Sequence, residues 1–115
     1  DEFLCLHLEA PDESTHNGSL PDKLLAIHQL DSLIVAPLLQ WLQEQKMDYR
    51  LLLLSDHKTL MSTRTHDGDP VPFLLYDSTA PRSDGLSYTE ANGEKGPFVE
   101  HGTDLMALLF GKKTL

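Results

Sequence analysis

Apolar residues along the chain fall into blocks whose spacing predicts strand, helix and strand in turn. Residues 2–9 place Leu4, Leu6 and Leu8 on one face, opposite Phe3, Cys5 and His7, which predicts a strand buried on both faces. A helix is predicted from about Asp22 to Lys46, because apolar side chains recur there at steps of three and four residues: Leu24, Ile27, Leu30, Ile34, Leu38 and Trp41. Pro37 lies inside this pattern and predicts a kink or break.

The second strand is predicted at Tyr49–Ser55, around four consecutive leucines that suit the centre of a parallel sheet. Strand, helix and strand form a βαβ unit with a right-handed crossover. We therefore expect an α/β fold with a βαβ-containing, mostly parallel sheet and flanking helices. The remaining expectations are loops at 10–21 and 56–69, a short third strand at Pro70–Tyr76, irregular chain at 77–97, and a last helix capped by Thr103-Asp104 and ending near Phe110.

The charge balance excludes several classes of function. The 115 residues include 9 Lys+Arg against 18 Asp+Glu, a formal net charge of −9. Nucleic acids and anionic membranes attract basic surfaces, so we expect neither as a partner. We also expect no membrane span, since no continuous apolar run reaches about 20 residues. The start of the chain lacks the basic region of a signal peptide. A single cysteine, Cys5, forms no internal disulfide and is expected to pack inside the first strand, which favours a cytoplasmic location.

Aspartates and histidines concentrate after the two predicted strands. Asp12 and His16 follow the first strand, Asp56 and His57 follow the second, and His66 lies in the same loop. The carboxyl ends of parallel strands meet at one edge of a sheet, so these side chains are expected to converge. Carboxylate and imidazole groups suit Zn²⁺, Mn²⁺ and similar ions, which makes the five residues candidate metal ligands.

The other three histidines are interpreted as structural. His7 is expected to be a strand residue and His101 to neighbour the cap of the last helix. His28 is expected on or near the apolar stripe of the long helix, either packed or on the helix surface.

Four blocks of the chain resemble, in order and spacing, the archaeal-type, cofactor-independent phosphoglycerate mutases of the alkaline phosphatase superfamily. Glu9–Gly18 resembles that family's EAPDE…H-x-G stretch, and Ser55–Thr59 its DH-x-T block. Arg64–Phe73 resembles its H-x-x-DPVP block, and Gly102–Met106 the G-x-[ED]-L-M start of its C-terminal helix. Together they extend over nearly the whole chain.

The resemblance implies a site with two divalent ions, Mn²⁺, Mg²⁺ or Zn²⁺. Asp12, His16 and His66 would hold one ion, and Asp56 and His57 would help to hold the other. The family's nucleophilic serine carries the phosphoryl group between the hydroxyls of 3- and 2-phosphoglycerate, and the ions lower the pKa of that serine. The serine and an early aspartate ligand match no block here, so this chain is expected to contain no catalytic residue.

Family members are several hundred residues long. We therefore expect residues 1–115 to be the C-terminal metal-binding segment of a larger protein, inactive in isolation and completed by an N-terminal part. One departure from the family is Lys58, which follows the Asp-His pair where the family usually has a small residue. Its ammonium would repel a metal ion or pair with a bound phosphate, unless it points to solvent.

Two alternatives remain open from the sequence. The same two-metal site serves phosphatases, phosphopentomutases and phosphonate hydrolases of the superfamily, and the residues that grip the substrate lie mostly outside this chain. A non-catalytic interaction module that retains the fold would also fit the missing serine and Lys58.

The isolated chain is expected to associate with itself, because an unpaired sheet edge is a template for pairing with another chain. Light scattering at high concentration should then give the mass of a dimer or larger assembly. A monomeric mass would contradict this prediction.

Overall fold

The computed structural model describes residues 2–115, which contain both helices and sheets. The elements in chain order are α1 (Ala10–His16), α2 (Leu20–Leu30), a π-helical segment (Asp31–Val35), α3 (Ala36–Glu44), β1 (Arg50–Leu54), β2 (Lys58–Leu60), β3 (Thr65–Asp67), β4 (Phe73–Asp77), α4 (Glu90–Gly93) and α5 (Asp104–Leu109). They fall into two compact units. The first contains the chain up to Gln45 together with Lys58–Gly68, and the second contains Lys46–His57 and Asp69–Leu115.

The long predicted helix forms as α2, the π-helical segment and α3 in one continuous run. Ser19 caps its start by accepting a hydrogen bond from the backbone N–H of Asp22, at 3.3 Å. Pro37 lacks an N–H and crowds the turn before it, which disfavours regular α-helical bonding there. The helix responds with a wider turn over Asp31–Val35, and the N–H of Ala36 reaches back five residues to the carbonyl of Asp31. The expected break is therefore a local change of hydrogen bonding.

The apolar side chains of this helix are largely exposed. Leu24 and Trp41 retain 59% and 50% of their accessible surface. The run Leu20–Glu44 has 25 residues and, by length and composition alone, is long and apolar enough to cross a membrane. The sequence expectation considered only continuous apolar runs, whereas this helix is apolar on average. The core helix of a soluble protein meets the same criterion of length and composition.

The first unit contains two elements where loops were expected. Residues 10–16 form α1, which ends in a Schellman motif: the N–H of Gly18 bonds to the carbonyl of Thr15 and that of Ser19 to Ser14, both at 2.9 Å. Gly18 has the positive φ, 72°, that this ending needs. The second element is an antiparallel hairpin of β2 and β3, in which Thr59 lies opposite His66. The helix α1 packs on α2 and contacts β2.

The second unit is built on β1 and β4, which confirm the second and third predicted strands. They pair antiparallel, with Leu52 opposite Leu75. The expected parallel βαβ sheet is not formed among residues 2–115, where both two-stranded sheets are antiparallel. A parallel pair needs a crossover, usually a helix, whereas the segment between β1 and β4 contains the β2–β3 hairpin.

Residues 2–9 form neither a strand nor a helix, so the predicted first strand and its buried faces were wrong here. Leu4 is 70% exposed and Phe3 54%. Cys5 is exposed instead of packed, and His7 contacts Glu9 at 3.6 Å. A strand is stabilised by hydrogen bonds to a neighbouring strand, and residues 2–9 belong to neither of the two described sheets.

The last helix, α5, supplies the buried apolar residues Leu105 and Leu108 and contacts β1. Thr103 occupies its N-cap position as predicted, but its side chain makes no capping hydrogen bond. Gly111, with φ of 71°, ends the helix in a second Schellman motif: its N–H bonds to the carbonyl of Leu108, and the N–H of Lys112 to that of Ala107.

Arg50 joins this helix end to the sheet. Its Nη1 donates to the carbonyl of Leu109 at 3.3 Å, and its Nε to Oδ2 of Asp77 at 3.0 Å. Hydrogen bonds from the hydroxyl and backbone N–H of Thr79, and then from Arg50, hold the pKa of Asp77 below its usual value.

Replacing Gly111 with alanine should lower the free energy of unfolding by about 1–2 kcal/mol, because an L-residue is strained at positive φ. An added Cβ would also meet the Arg50 guanidinium, with Cζ 2.9 Å away. Gly102→Ala, where a Cβ meets nothing within 4 Å, is the matched control in the same unit. Urea unfolding of both variants measures the difference. Equal midpoints would contradict the role given to Gly111.

Candidate metal centre

Three of the five predicted ligands converge in the first unit. Asp12 and His16 lie four residues apart on α1, so their side chains share one face of the helix. His66 lies on β3, opposite Thr59 of β2, the strand that contacts α1. The hairpin therefore delivers a ligand to the helix from a position fifty residues further along the chain.

The three ligand atoms form a nearly equilateral triangle. Oδ1 of Asp12 lies 3.2 Å from Nε2 of His16 and 3.2 Å from Nε2 of His66. The two Nε2 atoms are also 3.2 Å apart. An ion bound at about 2.0–2.1 Å by tetrahedrally arranged ligands would separate them by about 3.3–3.4 Å. The spacing therefore fits a small divalent cation such as Zn²⁺.

A hydrogen bond at the far side of His16 determines which nitrogen faces the site. Its Nδ1 lies 2.7 Å from the carbonyl oxygen of Arg64. A carbonyl only accepts, so Nδ1 carries a proton and donates it, which leaves the Nε2 lone pair of the neutral ring directed at Asp12 and His66. Ligating histidines in metalloproteins are typically oriented in this way.

The donor chemistry also fits a cation. Oδ1 of ionised Asp12 is an acceptor, and the neutral His16 ring presents a second lone pair 3.2 Å from it. Two lone pairs at this separation repel unless a proton or a positive ion lies between them. Asp12 is half-buried and both imidazoles are more exposed, with side-chain exposures of 34%, 40% and 53% in chain order. The site is thus accessible to ions from solvent.

The hairpin turn fixes the carbonyl that orients His16. Arg64 adopts a left-handed backbone conformation, with φ of 55°, and its N–H bonds to the carbonyl of Leu60 at 2.7 Å. Its guanidinium lies against Gly18, where an added Cβ would clash with Cζ of Arg64. The glycine two residues after His16 therefore leaves room for the hairpin. Sequence analysis did not assign this role, although Gly18 lies in the H-x-G motif.

Sequence analysis also missed the hydroxyl of Thr59, which donates to Oδ1 of Asp12 at 2.6 Å. The signal for it was its place in the DH-x-T block, where only the Asp-His pair was given a role. Lys58, the residue before it, is half-buried at the start of β2, opposite Asp67.

The other two predicted ligands, Asp56 and His57, belong to the second unit and contact each other. Oδ2 of Asp56 lies 3.4 Å from Nε2 of His57, and Oδ1 accepts the backbone N–H of His57 at 3.0 Å. They follow β1, as predicted. Their assignment to a second ion remains a prediction.

The histidines interpreted as structural lie outside the triad. His28 is exposed on the surface of α2. Of its two expected positions, the structure therefore shows the helix surface and not packing in the apolar stripe. His101 is exposed before α5, and its carbonyl accepts the N–H of Asp104 at 2.9 Å.

Comparisons with known proteins agree with a metal site. A family model described as the metalloenzyme superfamily matches residues 1–112. The chain is 36% identical over 110 residues to a 2,3-bisphosphoglycerate-independent phosphoglycerate mutase of Methanosarcina mazei, and 38% identical over 112 residues to that of Methanosarcina acetivorans. It is 35% identical over 113 residues to a probable enzyme of the same name from Geobacter sulfurreducens.

These matches cover 94%, 94% and 96% of the chain but 28% of each relative. The chain therefore spans little more than a quarter of the length of the curated relatives it matches. No solved structure matches it.

We predict that neutral His16 is protonated at Nδ1, although the Nε2–H form prevails for histidine in water. Two-bond ¹⁵N–¹H correlation spectra of the metal-free chain above neutral pH distinguish the two tautomers. Exposed His101, whose ring lies outside the triad, serves as the reference for ordinary behaviour. An Nε2–H pattern for His16 would contradict the bond to Arg64.

Proposed function

The chain belongs to the metalloenzyme superfamily, and we propose that it is the metal-binding C-terminal part of a 2,3-bisphosphoglycerate-independent phosphoglycerate mutase. The whole protein would interconvert 3- and 2-phosphoglycerate through a phosphoserine whose serine lies outside this chain. The observation that carries the proposal is the triangle of Asp12, His16 and His66 ligand atoms, in a chain whose relatives are named as such mutases.

Asp12, His16 and His66 would hold one divalent ion, and Asp56 and His57 would contribute to a second. When bound, these ions would neutralise phosphoryl oxygens and lower the pKa of the serine hydroxyl. The protein's own residues position the donors: Arg64 orients His16 through its carbonyl, and α1 and the hairpin bring the carboxylate and His66 together. Carboxylate and imidazole donors suit Mn²⁺ and Zn²⁺. Mg²⁺ is an alternative, although it prefers oxygen ligands to nitrogen ligands.

We propose the missing N-terminal part as the main partner of this chain. The exposed alternating residues 2–9 would then pair as a strand of a mostly parallel sheet, and the apolar face of the Leu20–Glu44 helix would be covered. The exposure of Leu4, Leu24 and Trp41, at 70%, 59% and 50%, supports this arrangement. A cytoplasmic location is part of the proposal, and the unpaired thiol of Cys5 is compatible with it.

The alternatives have less support. An interaction module is disfavoured because the relatives that the chain matches are named as enzymes. Other two-metal phosphotransferases share the superfamily, but the relatives named above are phosphoglycerate mutases.

The isolated chain should bind Mn²⁺ or Zn²⁺, and His66→Ala should weaken binding by more than the roughly 10–100-fold that loss of an outer-sphere partner costs. Titration calorimetry at neutral pH measures this affinity. His101→Ala removes an imidazole outside the triad and is the matched control, expected to bind like the unaltered chain. Absence of binding by the unaltered chain would remove the basis of the proposal.

The longer protein should convert 3-phosphoglycerate to 2-phosphoglycerate without added bisphosphoglycerate, and His66→Ala or a chelator should abolish the conversion. Proton and phosphorus NMR distinguish the two isomers from free phosphate. Release of phosphate without isomerisation would favour a phosphatase of the same superfamily.

A further inference from the structure

We propose that Thr59 is a positioning residue that holds the Asp12 carboxylate in its metal-binding orientation. The inference rests on the proposed metal-binding function and adds to it a residue outside the five predicted ligands. Its central observation is the 2.6 Å hydrogen bond from the Thr59 hydroxyl to Oδ1 of Asp12.

This bond is at the short end of the range for a hydroxyl and a carboxylate. Hydroxyl-to-carboxylate bonds of about 2.5–2.7 Å are characteristic of an ionised acceptor and are about twice as strong as neutral ones. An ionised carboxylate only accepts, so the Thr59 hydroxyl is the donor. The bond therefore fixes the position of Oδ1 relative to β2.

The same oxygen that Thr59 contacts also faces both imidazoles. Oδ1 of Asp12 lies 3.2 Å from Nε2 of His16 and 3.2 Å from Nε2 of His66. The hydroxyl thus selects which carboxylate oxygen, and which side-chain rotamer, is presented to the triad. Without this hydrogen bond, Asp12 would sample other rotamers. Binding of an ion would then have to offset the conformational entropy lost when the side chain is ordered.

Thr59 is itself held by two features of the first unit. It lies directly opposite His66 in the hairpin, so the two side chains project from the same face of the two-stranded sheet. The Nζ of Lys23 on α2 donates to its carbonyl at 2.8 Å. A β-branched residue in a strand also has a restricted χ1. The hydroxyl therefore has a defined position, from which it holds Asp12 close to His66.

Thr59→Val tests this role, because it replaces the hydroxyl with a methyl group of nearly equal size. We expect its affinity for Mn²⁺ or Zn²⁺ alone, measured by calorimetry, to fall by about 10–100-fold, as for other outer-sphere partners. Thr59→Ser keeps the hydroxyl and should bind within about threefold of the unaltered chain. Far-ultraviolet circular dichroism of the metal-free variants should remain close to that of the unaltered chain, whereas the thermal unfolding midpoint of Thr59→Val should fall slightly because one hydrogen bond is lost.

Thr65→Val provides the matched control, since it makes the same change at an exposed position of the same hairpin and should leave the affinity unchanged. A double variant tests whether Thr59 acts through the carboxylate. In an Asp12→Ala background, Thr59→Val should cause no further loss of affinity.

Three results would overturn the inference: unchanged affinity of Thr59→Val, an equal loss in Thr59→Ser, or an undiminished loss in the Asp12→Ala background. If the unaltered chain binds no ion, the proposed function fails instead. If it binds and Thr59→Val binds equally well, only the positioning role fails.

Discussion

The first unit is organised around one carboxylate oxygen, Oδ1 of Asp12. This atom accepts the Thr59 hydroxyl and lies 3.2 Å from an imidazole nitrogen on each side. The groups around it come from a helix, from β2 and from β3, so satisfying this oxygen requires α1 and the hairpin to meet. Partial burial of a carboxylate costs free energy unless the carboxylate is paired. Here the contacts that pair Asp12 are also the ones that would place it for metal binding.

Two backbone conformations allow α1 and the β2–β3 hairpin to pack together. Gly18 ends α1 in the left-handed conformation and presents no side chain to the Arg64 guanidinium. Arg64 in turn directs its carbonyl at Nδ1 of His16. Each residue is useful because of its backbone, which explains why a search for ligand types in the sequence passed over both. Thr59 was missed for a related reason, because its hydroxyl acts here through another side chain and the sequence search considered only carboxylates and imidazoles.

Sequence patterns predicted the local structure better than the pairing. The leucine run of β1 and the three- and four-residue periodicity of the long helix depend on neighbours in sequence, and both elements formed. The parallel sheet required residues 2–9 to pair with β1, but β1 pairs with β4 and residues 2–9 remain exposed. Pairing depends on which partners are present, and the chain spans 28% of its relatives. The ligands Asp12, His16 and His66 were predicted on the assumption of a shared sheet edge, yet they converge through a helix and a hairpin.

Because the apolar core is small, binding of a metal ion would also affect the stability of the fold. Leu105 and Leu108 are the buried apolar side chains among residues 2–115, and both belong to the second unit. The first unit therefore depends more on polar contacts, such as those of 3.2 Å that join Asp12, His16 and His66. An ion that binds only the folded arrangement stabilises it by RT ln(1 + [M]/Kd), which is about 2.7 kcal/mol at a hundredfold excess over Kd. That is a substantial fraction of the stability of a small domain. In this unit the proposed cofactor would thus act as a structural element as well as a chemical one, holding α1 to the hairpin where hydrophobic burial contributes little.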